Sequence, residues 1–321
     1  MNQQPCVYVI GPTASGKSDL AIELAKRWQG EVVNADSMQV YCELNIGSAK
    51  VPLHERQGIV HHLLDVVHVG EPFSVAAYKS LAEQAMEGIH RQGHLPIVCG
   101  GTGLYIQALS GRLNFTQVES DPVLRSELQT YAREHGRQAL HERLRAVDPD
   151  SAQRLHPNDQ KRVIRALEVS LLTHKPYSAQ TETFAQQAYQ GGKSPCMLGL
   201  YWPREQLRAR IGKRVDSMME QGLLEEARDV FALGVDIEHP SMQGLGYRQL
   251  FRYFLGQYTL SEAVERIKIE TAQFAKRQMT WFKRDLRIHW LDMQALMEDD
   301  ACLAQADRLV SDYLTLRSEV F

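Results

Sequence analysis

The sequence predicts an α/β fold, a parallel sheet covered by helices on both faces, with a helical insertion. Three observations predict it. Short, near-continuous apolar runs close on glycine or small polar residues, as strands buried on both faces do. Segments with apolar residues at helical spacing alternate with those runs through the first third of the chain. From about Ser120 to residue 195 the texture turns helical, before a strand-like run returns at Cys196.

The first strand is "CVYVIG", apolar throughout and ending in Gly11. After it, Leu20, Ala21, Leu24, Ala25 and Trp28 share one helical face. "EVVNADSMQVY" is the second strand, breaking down near Asn34 to Ser37, and "VHHLLDVV" is the third. A helix follows from roughly Val75 to Arg91, then "LPIVCGG", closed by Gly100 and Gly101. Within the insertion Pro122, Gly136, Pro149, Pro157 and Pro176 punctuate the helices, and Asn158 reads as the N-cap of a helix over Asp159 to Leu172. "YSAQTETFAQQAYQGGKSP" is polar and loose; "CMLGLYW", helical segments and a last strand, "RIHWLD", complete the core. The expected division is therefore 1–119 with 196–321 as the core and 120–195 as the insertion.

With 321 residues, one large domain with an insertion or two domains is expected, and 44% apolar residues suffice for a sizeable core. A net charge of −3 excludes no partner, because a near-neutral protein can carry a local basic groove. The absence of a signal-like start and of an apolar run of membrane-spanning length predicts a cytoplasmic protein with no membrane association. The five cysteines, Cys6, Cys42, Cys99, Cys196 and Cys302, are scattered and never in CxxC spacing, which reads as small buried residues rather than disulfides or a zinc site.

Gly11, Pro12, Thr13, Ala14, Ser15, Gly16, Lys17 and Ser18 match GxxxxGK[ST] between a strand and a helix. The glycines let the backbone turn its N–H groups inward, and the helix N-terminus adds partial positive charge. Lys17 reaches phosphate oxygens, and the Ser18 hydroxyl is the metal ligand of a bound Mg²⁺. The core is thus of the P-loop NTPase-like type. The loop specifies a β-phosphate-like group with Mg²⁺ and does not by itself specify ATP. "LPIVCGG" ends in glycine where a Walker-B strand ends in Asp, and Asp65 is the only comparable acid.

Two strand tips carry further chemistry. Asp36, beside Ser37, stands where a carboxylate can take a proton from an acceptor nucleophile, or is a turn residue. Thr102, within "GGTGLY", offers a hydroxyl at the same sheet edge, or belongs to a structural turn.

Seven blocks occur in order: "GPTASGKS", "NADSMQVY", "IGSAK", "GGTGLY", "HPNDQKRVIRALEV", "GLGYRQL" and "AKRQMTWFKRD". Together they resemble the tRNA dimethylallyltransferase (tRNA isopentenyltransferase) family of bacterial type, from about Val7 to Asp292. The resemblance implies transfer of a dimethylallyl group from dimethylallyl diphosphate to the N6 amine of the adenosine 3′-adjacent to the tRNA anticodon. It implies that Lys17, Mg²⁺ on Ser18 and Arg214, within "LRARIGKRV", neutralise the departing diphosphate. It implies that Asp36 takes the proton of the adenine amine and that Thr102 contacts the same amine, the base having left its stack. Gln39, three residues after Asp36, is placed to read a base edge. The tRNA-binding set it implies is Asp36, Ser37, Met38, Gln39, Thr102, Arg125, Gln160, Lys161, Arg162, Val163, Ile164, Arg165, Gly246, Tyr247, Arg248, Lys276, Arg277, Gln278, Trp281 and Lys283. Ser18 stands where many relatives have threonine, and no Cys/His cluster follows "RIHWLD", so the zinc-finger extension of eukaryotic relatives is absent.

The residues also suggest where RNA binds. Val264 to His289 holds seven basic against three acidic residues, a local balance of +4. Lys276, Thr280, Lys283 and Arg284 share one helical face with Trp281 alongside, which suits loop RNA; an ordinary solvated face is the alternative. Lys161, Arg162 and Arg165 cluster near a helix N-terminus, which adds backbone donors for phosphate. His61 and His62 read as strand and turn residues rather than metal ligands. Two other readings stand beside prenyl transfer: a small-molecule or nucleotide kinase with residues 120–195 as a lid, and an RNA-binding protein with a relict phosphate loop. No obligate protein partner is evident, and a monomer is expected.

Overall fold

A computed structural model describes residues 4–111, 121–180, 195–296 and 301–318. In chain order the elements are β1 (Val7–Ile10), α1 (Lys17–Arg27), β2 (Gly30–Asn34), β3 (His61–His62), α2 (Val75–Arg91), β4 (Leu95–Gly100), α3 (Gly103–Leu109), α4 (Pro122–Val147), α5 (Pro149–Arg154), α6 (Gln160–Thr173), α7 (Tyr177–Gln180), β5 (Cys196–Tyr201), α8 (Arg204–Glu220), α9 (Leu223–Ala232), α10 (Tyr247–Phe254), α11 (Leu260–Phe282), β6 (Ile288–Asp292), α12 (Met293–Leu296) and α13 (Ala301–Ser318). The chain forms two compact units: Met1–Leu109 with Lys193–Phe321, and Ser110–Gly192.

The first unit is built on a six-stranded sheet of order β3-β2-β4-β1-β5-β6. Every pairing is parallel. The central strand explains why its sequence is apolar without alternation: Val7 and Val9 face a core made with α1 and α13, while Tyr8 and Ile10 face a second core made with α2 and α8 to α11. Both faces of β1 are fully buried, as a parallel sheet covered on each side requires. Ile10 pairs with Gly100 and Asn34 with Cys99, so β1, β2 and β4 end level with one another.

Helix α2 runs over Val75–Arg91 as the periodicity predicts, capped by Ser74, whose hydroxyl accepts from the Ala77 amide at 3.1 Å. Two strands are shorter than their sequences suggest. β2 stops at Asn34 because that side chain turns the chain: its Oδ1 accepts from the Asp36 amide and its Nδ2 donates to the carbonyls of Asp36 and Leu63. "VHHLLDVV" pairs only at His61 and His62. Leu63 and Asp65 adopt positive φ, and the amides of Asp65 and Val66 donate to Gln39 and Val40 instead of to a strand. His62 and His94 each place a ring nitrogen 2.6 Å from the Glu31 carboxylate.

The second unit packs Leu128, Leu140, Leu144, Val163, Ile164 and Leu167 into its own core. Gly136, at φ 86°, kinks α4 into two helical segments. The N-cap of α6 is Asp159, not Asn158: a turn closed by the Asp159 amide on the His156 carbonyl carries the chain one residue further before helix begins. Tyr177–Gln180 is a helical turn where a loose segment is expected, and the rest of that stretch, 181–194, lies outside the described residues. Of the five free cysteines, Cys6, Cys99 and Cys196 are buried, while Cys42 and Cys302 are only partly so. Beyond β6, α13 covers α1, with Asp307 accepting from Trp28 Nε1 at 2.9 Å.

The level strand ends depend on Gly100. A Cβ there would lie 2.2 Å from the Ala35 carbonyl oxygen. Gly100→Ala is therefore expected to destabilise the protein by roughly 2 kcal/mol or more through forced separation of β2 and β4. Urea denaturation measures this; wild-type stability would mean the strand ends separate freely.

Candidate active site

The phosphate loop leaves β1 at Gly11 and enters α1 at Lys17. Ala14 and Gly16, at φ 62° and 90°, make the reversals that form the loop. Its outer groups are held by side chains from distant segments. Trp202 Nε1 donates to the Ser15 carbonyl at 3.0 Å, Arg210 Nε donates to the Ala14 carbonyl at 2.9 Å, and Gln278 Oε1 accepts from the Thr13 amide at 3.0 Å. The Arg210 guanidinium also stacks 4.3 Å over the Trp202 ring. Lys17 Nζ lies 3.5 Å from the Pro12 carbonyl. Burial pushes the Lys17 ammonium below its ordinary pKa, and nearby Arg214 adds to the effect.

The Asp36 turn and the Thr102 loop are joined directly. The Ser37 amide donates to Thr102 Oγ1 at 2.9 Å, and the Thr102 amide donates to the Ala35 carbonyl at 3.1 Å. Asp36 Oδ1 accepts from the Met38 amide at 2.9 Å, while Oδ2 has no hydrogen-bond partner among the described residues. Beneath the turn, Tyr78 donates to the Asn34 carbonyl and stacks on Tyr105 at 3.7 Å. The "GGTG" run is tight for internal reasons: a Cβ on Gly103 would meet the Trp281 ring at 2.4 Å.

Three hollows meet here. A cleft of about 390 Å³ is lined by Thr13, Asp36, Thr102, Arg214 and Arg277 on its polar side, and by Met38, Ile211, Val215, Met218, Ile267 and Phe274 on its apolar side. A recess of about 760 Å³ is lined by Gly16, Lys17, Ser18, Asp19, Lys50 and Arg56. Arg214 lines both. A small hollow of about 20 Å³ brings Asp36 together with Lys17, Ser18 and Asn34. Burial pushes the Arg214 guanidinium below its ordinary pKa, against the opposing pull of Asp36 and Asp19, and it stays charged.

The "IGSAK" and "GLGYRQL" blocks form one wall. Glu226, on α9, accepts from the amides of Asn45, Ile46 and Gly47 at 3.1, 2.9 and 3.1 Å. Tyr247 donates to the same carboxylate at 2.5 Å and accepts from the Gly47 amide at 3.1 Å. Gln39 Nε2 donates to the carbonyls of Ser48 and Ala49. Lys50 pairs with Asp65 at 2.5 Å, so the only acid comparable to a Walker-B residue is already bound to a lysine.

The residues expected to meet RNA divide into three sets. Lys161, Arg162, Lys276, Arg277 and Lys283 are exposed, as are Thr280 on α11 and Arg284 in the turn that follows it. Arg162 pairs with Asp159 at 3.2 Å. Gln160, Ser37, Met38 and Gln39 are half-buried, and Trp281 is half-buried against Gly103. The side chains of Val163, Ile164, Tyr247 and Gln278 are buried and engaged inside the fold. Val163 and Ile164 are core residues of the second unit. Gly246 is buried and donates to Gln249 Oε1 at the start of α10, and Arg248 is paired with Glu270. Arg125 and Arg165 both pair with Glu168, at 2.8 and 2.7 Å.

Glu226, Glu168, Asn34, Trp202 and Arg210 are absent from the sequence-based site. Only Arg210 carries a readable signal, lying four residues before Arg214 and thus on the same helical face. Nothing in the sequence separates Glu226 from its neighbour Glu225, or Glu168 from any helical glutamate.

Comparison with known proteins adds an independent line. The family model described as IPP transferase matches residues 39–285. A tRNA dimethylallyltransferase from Acetivibrio thermocellus is 44% identical over 299 residues, 92% of this chain and 93% of that protein. One from Geobacillus kaustophilus is 42% identical over 318 residues, 97% and 98% of the two chains. The crystal structure of a full-length tRNA isopentenylpyrophosphate transferase from Bacillus halodurans superposes with a TM-score of 0.70 at 37% identity, covering 98% of this chain and all of that one. A eukaryotic dimethylallyltransferase described as acting on tRNA superposes with a TM-score of 0.80 at 33% identity, covering 94% and 77%.

Two outcomes follow from these carboxylates. Glu226→Ala removes the acceptor of three consecutive amides, so hydrogen exchange at Asn45, Ile46 and Gly47 is expected to rise on the order of tenfold or more. Unchanged exchange would show that the carboxylate does not hold this wall. Burial alone would raise the Glu168 pKa, but bonds from Arg165, Arg125 and the Asp121 amide hold it below its ordinary value. A depressed folded-state pKa gives stability that is present above the unfolded value and lost as pH falls through the folded one. Acid unfolding of the second unit, followed by amide exchange below about pH 4.3, is therefore expected to lose its Glu168-dependent part in Glu168→Gln.

Proposed function

The chain belongs to the IPP transferase family, and from that membership we infer that it is an enzyme of tRNA modification, transferring a dimethylallyl group from dimethylallyl diphosphate to the N6 amine of the adenosine 3′-adjacent to the anticodon and releasing diphosphate. The observation that carries this reading is the meeting of the phosphate loop, Asp36 and Thr102 at one edge of the sheet, beside a cleft with an apolar wall. A small-molecule kinase could use the same loop, but the family membership does not favour it.

The reaction forms a C–N bond and breaks an allylic C–O bond. Negative charge grows on the diphosphate, and Lys17 and Arg214 are the cations placed to neutralise it. Both are desolvated, which strengthens their attraction for an anion. The adenine amine is a weak nucleophile because its lone pair is delocalised into the ring. Asp36 Oδ2, without a hydrogen-bond partner among the described residues, accepts its proton as the bond forms. Thr102, fixed by the Ser37 amide, contacts the same amine. The apolar wall of Met38, Ile211, Val215, Met218 and Phe274 houses the prenyl tail and keeps water from the allylic carbon.

A Mg²⁺ bound with a diphosphate needs only one or two protein oxygens and completes its shell with phosphate and water. The Ser18 hydroxyl, with the Asp19 carboxylate lining the same recess, fits that donor set. When bound, the ion would neutralise the leaving diphosphate. The exposed basic faces of α6 and α11 receive the phosphates of the anticodon stem-loop. The enzyme so read is a cytoplasmic monomer; no helix among the described residues is long and apolar enough to cross a membrane.

Incubating the protein with dimethylallyl diphosphate, Mg²⁺ and an anticodon stem-loop, then analysing nucleosides by mass spectrometry, is expected to give isopentenyladenosine. Phosphoryl transfer from labelled ATP to small acceptors, with no prenylated product, would replace this reading with the kinase. Asp36→Ala is expected to lower the single-turnover rate by roughly 10²- to 10⁴-fold while tRNA affinity changes little. A large loss of affinity at unchanged turnover would remove the proton-acceptor role.

A further inference from the structure

We infer that Gln278 is a positioning residue that fixes the spacing between the phosphate loop and the acceptor loop, rather than a contact to RNA. Its amide is bonded at both ends. Oε1 accepts from the Thr13 amide of the phosphate loop at 3.0 Å, and Nε2 donates to the Gly101 carbonyl, next to Thr102, at 2.9 Å. The side chain is 6% exposed, so water does not compete for either bond.

The neighbouring loop is built around this amide. A Cβ on Gly101 would lie 2.3 Å from Gln278 Nε2, so glycine there leaves the room the bridge occupies. The Gly101 carbonyl directs the bridge into the same loop whose Thr102 hydroxyl accepts from the Ser37 amide, beside Asp36. One side chain thus joins the loop that holds the leaving group to the loop that holds the nucleophile. In a displacement reaction the distance between those two groups sets the rate, and an error of about 1 Å costs on the order of a hundredfold.

The bridge sits on α11, whose neighbouring residues Lys276, Arg277 and Lys283 are exposed. The same helix therefore meets the solvent with its basic face and ties the two loops together with its buried one. The inference rests on the prenyl-transfer reading for its kinetic arm but not for its structural arm.

Four variants test it: Gln278→Glu, Gln278→Ala, Gly101→Ala and the double variant Gly101→Ala/Gln278→Ala. Gln278→Glu keeps the acceptor for Thr13 but turns a carboxylate oxygen toward the Gly101 carbonyl. It is expected to lower the single-turnover rate at saturating substrates by about 10- to 100-fold, with the tRNA Kd within about threefold of wild type. Gly101→Ala is expected to give a similar loss. The double variant is expected to be no slower than the worse single one, because the added Cβ enters the space the amide leaves; such non-additivity marks two residues in one contact. A tRNA Kd raised tenfold or more at unchanged saturated rate would make Gln278 an RNA contact and overturn the inference. Strictly additive losses in the double variant would also overturn it. The structural arm is hydrogen exchange at the Thr13 amide, expected to rise in Gln278→Ala; no rise would break the bridge whatever the reaction. If wild-type protein forms no isopentenyladenosine while Thr13 exchange behaves as expected, the functional reading fails and the bridge stands.

Discussion

Parallel pairing of β2, β4 and β1 brings three chain reversals to one edge of the sheet, and the site depends on how closely those reversals approach. Glycine at position 100 lets the Ala35 backbone lie against β4 where any side chain would collide. Once the tips are this close, their backbone groups are out of reach of water and need partners from elsewhere. Asn34 satisfies the Asp36 turn, Thr102 takes the Ser37 amide, and Trp202, Arg210 and Gln278 bind the phosphate loop. The helices of the second half of the chain do more than cover the sheet: α8 and α11 supply the groups that the loops of the first half lack.

The charge arrangement follows the same logic. Lys17 and Arg214 are both desolvated; Arg214 lowers the affinity of Lys17 for its proton, and Arg210 does the same to Arg214. Holding two desolvated cations so placed costs free energy, which an anion such as the diphosphate of the proposed reaction would relieve. Asp36 lies near both without a direct ion pair to either among the described residues, which leaves one carboxylate oxygen available as a proton acceptor. Lys50, by contrast, is paired with Asp65 and bonded to Tyr41 and Asn45, so it serves the wall rather than the ligand.

The sheet and the phosphate loop were legible because their signals are local. An apolar run, a glycine spacing and a following amphipathic helix each occupy consecutive residues, and β1, α1 and α2 form where those patterns stand. "VHHLLDVV" misled because its apolar residues serve a turn: the positive φ of Leu63 and Asp65 is set by hydrogen bonds to Gln39 and Val40, which no window around residue 63 contains. Asp36 and Thr102 were readable as strand-tip residues, since the tip is implied once the strand is known. Glu226, Glu168 and Gln278 were not readable as what they are. Each acts through partners far away in sequence, and Gln278 is set among exposed basic residues, so that its block reads as RNA-binding although its own side chain points inward.

The wall formed by Asn45, Ile46 and Gly47 has a consequence for selectivity. Three successive amides converging on one carboxylate make the same kind of concavity that binds phosphate in the Gly-rich loop. Among the described residues, this unit therefore holds a second concavity of that kind beside the Gly-rich loop. Glu226 fills it with the protein's own charge, tethered and always present at high effective concentration. Under the proposed function, the Gly-rich loop beside Asp36 is the cradle left to the diphosphate. The chain acts here as its own competitor, keeping the concavity of Asn45 to Gly47 from any outside anion.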